Sequence, residues 1–213
     1  HFSASVIGTN ASFTLDAANA STGQITSQKL SAGGGITVSM GTGTGGITMV
    51  SSVTNGNFTL DASNFGGTID INTISASGAV VVSMGTTGDF SASHIAGVGA
   101  VTLDGAAATT GQVTITGVTA GGNITVSMGA GTGSLTMASS LTLGSFTIDA
   151  TNFGGAVDAT TITMNVGTNN GNLVGITRTS SSQPFFQIGV SDVEFDGNDK
   201  TFTTESGGST QVL

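Results

Sequence analysis

Phe13-Thr14-Leu15-Asp16-Ala17 decides how this chain is read, because it returns as Phe58-Thr59-Leu60-Asp61-Ala62, Val101-Thr102-Leu103-Asp104-Gly105 and Phe146-Thr147-Ile148-Asp149-Ala150. The steps are 45, 43 and 45 residues, so the chain is a repeat array. Apolar and polar residues alternate within each pentad, the pattern of a strand with one buried face. Similar pentads begin about every 11 residues, at Ile25, Ile36, Ile47, Ile69, Val80, Phe90, Val113, Ile124, Leu135 and Val157. Gly-rich turns separate them, among them Gly41-Thr42-Gly43-Thr44-Gly45-Gly46, and Asn64-Phe65-Gly66-Gly67 with its copy Asn152-Phe153-Gly154-Gly155. Glycine at such corners is expected to supply positive φ. Nothing here has a helical period.

A longer period lies over the short one. Ile36-Thr37-Val38-Ser39-Met40 recurs as Val80-Val81-Val82-Ser83-Met84 and Ile124-Thr125-Val126-Ser127-Met128, every 44 residues, while the Asn-Phe-Gly-Gly turns recur at 88. Three strands per coil would need about 33 residues, which divides neither 44 nor 88, so equivalent strands would fall out of register. Two strands per coil, about 22 residues, place Asp16, Ser39, Asp61, Ser83, Asp104, Ser127 and Asp149 in one alternating column. Carboxylates stacked at the ~4.8 Å strand spacing repel, and the intervening Ser doubles their separation. Four strands per coil would stack Asp on Asp and require cations between layers.

The expected fold is therefore all-β: a parallel β-solenoid of the β-roll or β-helix kind, with two short strands per coil and a 44/88-residue super-repeat. One inward ladder is Phe13, Ile36, Phe58, Val80, Val101, Ile124 and Phe146; the opposing ladder is Ile25, Ile47, Ile69, Phe90, Val113, Leu135 and Val157; Met40, Met84 and Met128 fill a corner. An antiparallel meander or sandwich of the same strands is the alternative, disfavoured because a single meander leaves its apolar face uncovered. The array is expected over residues 1–164. From Asn165 the pattern fails, and 165–213 reads as an irregular β cap or the start of another module. Phe2-Ser3-Ala4-Ser5 returns as Phe90-Ser91-Ala92-Ser93, which predicts that the chain enters mid-repeat as a fragment of a longer array.

Composition narrows the function classes. Hydrophobic residues make up 37% and charged residues only 7%, the opposite of a disordered chain. A net charge of −9 removes the counterion-release term that drives binding to nucleic acid or anionic membranes. The absence of cysteine excludes disulfides and thiolate metal sites. No apolar run reaches the 18 or so residues of a membrane helix, so membrane insertion is not expected.

Candidate chemistry is sparse. Asp192, Glu194, Asp196 and Asp199 carry the oxygen ligands and, through Gly197, the turn chemistry of a Ca²⁺ site. Asp16, Asp61, Asp104 and Asp149 are either repeat Ca²⁺ ligands or caps of the turns that follow them. The glycine runs lack the Lys-Ser/Thr ending of a phosphate loop. His94 is the one internal histidine, with no sequence signal pairing it to a nucleophile, so no catalytic residues and no enzymatic activity are expected. Asn10, Asn19, Asn57 and Asn123 sit in N-x-Ser/Thr sequons, which a Ser/Thr-rich chain produces by chance. Thr14, Thr37, Thr59, Thr102, Thr125 and Thr147 form an outward column, a flat face suited to ice or a glycan, or simply to solvent.

In its Gly/Thr/Ser/Ala bias, missing cysteine, acidic balance and short Thr-alternating strands, the stretch 2–164 resembles the repeat regions of bacterial surface-layer proteins and RTX-type adhesins. The resemblance implies an exported, cell-surface structural protein, often Ca²⁺-dependent in assembly. The expected function is thus part of an extracellular layer, filament or adhesin stalk that self-associates by lateral or end-to-end β contacts, with a glycan or cell-surface partner in reach. The alternative is a ligand-binding adhesin, phage-fibre or ice-binding module.

Overall fold

The computed structural model describes residues 1–19, 22, 24–86, 88–150 and 153–159, together with the backbone of Ile162–Met164, Val174–Thr177 and Phe186–Ile188. Among these residues all regular structure is strand, and every pairing is parallel. The chain winds through seven coils in which one strand of each joins a wide sheet and the other a narrow sheet. The wide sheet stacks Phe2–Thr9, Gln24–Ala32, Gly46–Thr54, Thr68–Ala76, Phe90–Gly97 and Gln112–Ala120. The narrow sheet stacks Phe13–Ala17, Ile36–Met40, Phe58–Asp61, Val80–Ser83, Val101–Gly105, Ile124–Met128 and Phe146–Asp149. This is the parallel β-solenoid, not the antiparallel alternative. Val174–Thr177 and Phe186–Ile188, from the stretch beyond residue 164, add to the narrow and wide sheets respectively.

The expected register holds strand by strand. Phe13 pairs with Ile36, Ile36 with Phe58, Phe58 with Val80, Val80 with Val101, Val101 with Ile124 and Ile124 with Phe146. From Ile36 onward these side chains are fully buried, as are Ile47, Phe90, Val113 and Leu135 facing them from the wide sheet. In the first coil Phe2, Phe13 and Leu15 are only partly buried. Interior volume also follows the 44-residue period: buried Met40, Met84 and Met128 alternate with Ala62, Gly105 and Ala150. At Gly105 a Cβ would lie 3.2 Å from Met128 Sδ and 3.4 Å from Met84 Cε, so the small residue leaves room for the methionines above and below.

Two findings differ from the sequence reading. The wide-sheet strands run to nine residues and bend. In Gln24–Ala32 Ile25 and Ser27 point inward, Gln28 and Lys29 both point outward, and Leu30 and Ala32 point inward again. The cross-strand register skips the first of these two outward residues in layer after layer, and in the seventh coil the strand splits into Ser134–Met137 and Ser140–Thr142. Each coil therefore has a second wide-sheet facet beyond the bend.

The glycine corners are the other. Gly67, Gly88, Gly111, Gly133 and Gly155 do not occupy the left-handed region. A Cβ on any of them would instead run into the carbonyl of the preceding coil, 2.8 Å from the carbonyl carbon of Gly111 in the case of Gly133. The opposite corner is similar: Gly56 N–H donates to Gly34 O at 3.1 Å, and Gly78, Gly99 and Gly122 each donate to the glycine one coil earlier at 3.0 Å. The corners stack backbone on backbone, as the strands do, and glycine permits that approach.

Candidate functional site: the faces of the rod

The narrow sheet presents two outward columns. The first is Thr14, Thr37, Thr59, Val81, Thr102, Thr125 and Thr147, set side by side in adjacent layers. Thr14 is exposed, and the other five threonines are half-buried against their neighbours. The second column pairs Asp16 with Ser39, Ser39 with Asp61, Asp61 with Ser83, Ser83 with Asp104, Asp104 with Ser127 and Ser127 with Asp149. Carboxylates thus alternate with hydroxyls, about 9.6 Å apart at two strand spacings. Replacing Ser83 with Asp would place three carboxylates in consecutive layers. Ser83→Asp is expected to lose about 1–2 kcal/mol in urea melts at low salt, with part of the loss recovered in high salt; a salt-independent loss would count against charge as the reason for the alternation.

Three of the carboxylates are also tied to their own corners. Asp16 Oδ1 accepts from Ala18 N–H at 3.0 Å and Asp104 Oδ1 from Ala106 N–H at 2.9 Å. Asp61 Oδ1 accepts from Ser63 N–H at 3.2 Å and from the Ser63 hydroxyl at 2.8 Å. These are side-chain turns closed two residues on. A Ca²⁺ ion gathers six to eight oxygens at 2.3–2.6 Å, whereas two of these columnar carboxylates lie too far apart to share one ion. The donor set of Asp16, Asp61, Asp104 and Asp149 does not fit a shared calcium site. Asp192, Glu194, Asp196 and Asp199 lie outside the described residues. Among the described residues no three His, Cys, Asp or Glu side chains come together.

On the wide sheet, the facet before the bend carries Thr26, Thr48, Asp70, Ser91, Thr114, Thr136 and Asp158 as neighbours in one outward column. Ser91 Oγ donates to Asp70 Oδ1 at 2.8 Å. His94 stands exposed at the bend, between Thr73 and Gly117 in the neighbouring strands. Asn57 and Asn123, in two of the sequons, have structural work: their Oδ1 atoms accept from Ala79 N–H and Ser145 N–H in the next coil, each at 2.9 Å. Asn57→Ala leaves that corner N–H unpaired and is expected to cost about 1 kcal/mol in a thermal melt; no change would mean that water replaces the bond at no loss.

An open groove of about 310 Å³ lies at the first coil, lined by His1, Phe2, Leu15, Gln24, Ile25 and Met40. It follows from the half-covered apolar side chains there. No helix among the described residues is long and apolar enough to cross a membrane.

The facet beyond the bend was missed by the pentad reading. Its signal is in the sequence: Ser51-Ser52-Val53-Thr54 returns 88 residues later as Ser139-Ser140-Leu141-Thr142, with Val53 and Leu141 outward and exposed and the flanking Ser52, Thr54, Ser140 and Thr142 buried. Thr54 and Thr142 hydroxyls donate to the carbonyl oxygens of Gly34 and Gly122 in the preceding coil, which is how these two threonines sit inside. Comparison with family models, curated proteins and solved structures finds no significant match to this chain.

Proposed function

We propose that the chain is a structural repeat module of an extracellular assembly, such as a bacterial surface layer, filament or adhesin stalk. What supports this most is the continuity of the stack: one apolar core passes unbroken through every coil, and strands, corners and outward columns repeat layer upon layer. Such a stack is a rod of roughly 35 Å for seven layers at ~4.8 Å. Its faces are regular and weakly charged, suited to lying against a like surface. Electron microscopy of the native protein in place tests the reading: rods in a layer or fibre are expected, and isolated particles attached to nothing would remove it. In this reading the partners are further copies and a glycan or cell-surface ligand; neither nucleic acid nor membrane insertion enters.

A second reading, ligand or ice recognition, is favoured by the narrow-sheet threonine column. Changing Thr14, Thr59, Thr102 and Thr147 together to Lys should abolish such binding while the far-UV β signal persists; binding that survives rules it out. Calcium dependence, which the resemblance implies, is proposed only for the acidic run from Asp192 to Asp199. A chelator is therefore expected to leave the melting of the coils unchanged, within about 2 °C. A larger shift would place structural ions within the repeats.

A further inference from the structure

Acidic and exposed apolar residues are segregated on this rod, with Lys29 at the bend beside Val6. Among the described residues the exposed large aliphatics are Val6, Val50, Val53, Val98, Leu141 and Leu143, from 38% to 70% accessible. All lie on the bend or the facet beyond it, or on the corner that closes that facet. The described acids are elsewhere. Asp16, Asp61, Asp104 and Asp149 are on the narrow sheet, and Asp70, Asp89 and Asp158 are on or beside the first facet. Beyond the bend the outward column reads Ser31, Val53, Ser75, Ala96, Thr119, Leu141, with no charge in it. A chain of net charge −9 repels its own kind on the faces that carry carboxylates. The uncharged facet is where two copies can meet without that penalty.

We infer that this facet docks a second copy of the chain face to face, with the two rods antiparallel. The register follows from the column. Val53 and Leu141 are four strands apart, with Ala96 midway, so a two-fold axis crossing the rods at Ala96 places Val53 of one copy on Leu141 of the other at both ends. Val98, two residues beyond Ala96 in the same coil, then lies near Val98 of the second copy. The facet measures roughly 34 Å by 13 Å, about 450 Å² per copy. A stable interface buries about 800 Å² per partner, so pairing by seven coils is weak and reversible and gains area with every added coil. The inference rests on the reading of the chain as an assembling rod and names the face that does it.

Sedimentation of the full chain in about 0.15 M salt tests it. A monomer–dimer equilibrium is expected, with dimer populated near 100 µM, an order-of-magnitude figure for an interface this small. Val53→Asp alone, and Leu141→Lys alone, should each weaken it at least about ten-fold. The two together should restore it, because each introduced carboxylate then faces an introduced ammonium. Unchanged far-UV spectra and melts show that the variants fold. Three outcomes overturn the inference: a monomer up to about 1 mM, whether the facet is bare or covered by residues 165–213; a dimer indifferent to both single changes; or loss without rescue in the pair, the result of a parallel register in which Asp faces Asp and Lys faces Lys. A monomer in solution alongside end-to-end rods in micrographs sinks this face and spares the structural role. A rescued dimer from a protein that forms no surface assembly does the reverse.

Discussion

Gly133→Ala is expected to destabilise the chain by about 3–4 kcal/mol, a fall of roughly 10 °C in Tm for an array of this size. The new methyl would lie 2.8 Å from the carbonyl carbon of Gly111 and closer still to its oxygen, with Thr110 O at 3.1 Å. None of these atoms is the end of a flexible side chain. Relief requires spreading two stacked coils, and spreading breaks the parallel ladder on both sheets. The control is Gly46→Ala, where the nearest atoms are Thr68 Oγ1 at 3.6 Å and Thr68 O at 4.0 Å. Gly46 begins a strand, so alanine there should be neutral or stabilise by up to about 1 kcal/mol. Thermal melts of the two variants decide the matter. Equal small effects would mean that the corners breathe enough to accept a Cβ, and the steric account of the glycine spine would fail.

That account replaces the one the sequence suggests. Glycine-rich corners invite a positive-φ reading, because in an isolated turn that is what glycine is for. A solenoid corner is not isolated, and the constraint on Gly133 comes from Gly111, 22 residues earlier. The recurrence of glycine at Gly67, Gly88, Gly111, Gly133 and Gly155 is the visible trace of it, since these positions fall one per coil.

The ladders were legible for a simpler reason. Phe13, Ile36, Phe58 and their successors alternate strictly with polar residues, and a period of two over four or five residues assigns both strand and face. The 44-residue period was legible through the Asp/Ser alternation, and the alternation of Met84 with Gly105 and Met128 in the core reinforces it. The bend was hidden because Gln28 and Lys29 put two outward residues in succession and reset the phase. The half-strand beyond it then buries Ser52, Thr54, Ser140 and Thr142, residues that read as turn. Burial of the two threonines depends on carbonyls supplied by Gly34 and Gly122 in the coil before, a contact that no local window contains. The exposed threonine column was readable in position, but what it binds depends on chemistry that period alone does not carry.

Phe58→Ala is expected to cost about 3–5 kcal/mol, and the damage should be local along the rod. Phe58 is fully buried, with Ile36 in the layer before it and Val80 in the layer after. Removing the ring leaves a cavity at two coil interfaces at once. Because a coil touches only its neighbours, the stack then behaves as two arrays joined at a weakened layer. Native-state hydrogen exchange should show protection falling in Ile36–Met40 and Val80–Ser83 first, while Ile124–Met128, three strands from Phe58 along the narrow sheet, keeps its own. Phe13→Ala makes the comparison: Phe13 starts half-buried and stacks on Ile36 alone among the described coils, so about half the loss is expected. Equal losses at the two positions, or a uniform fall in protection over all seven coils, would show that the rod unfolds as one cooperative block and that nearest-neighbour coupling is the wrong description of its stability.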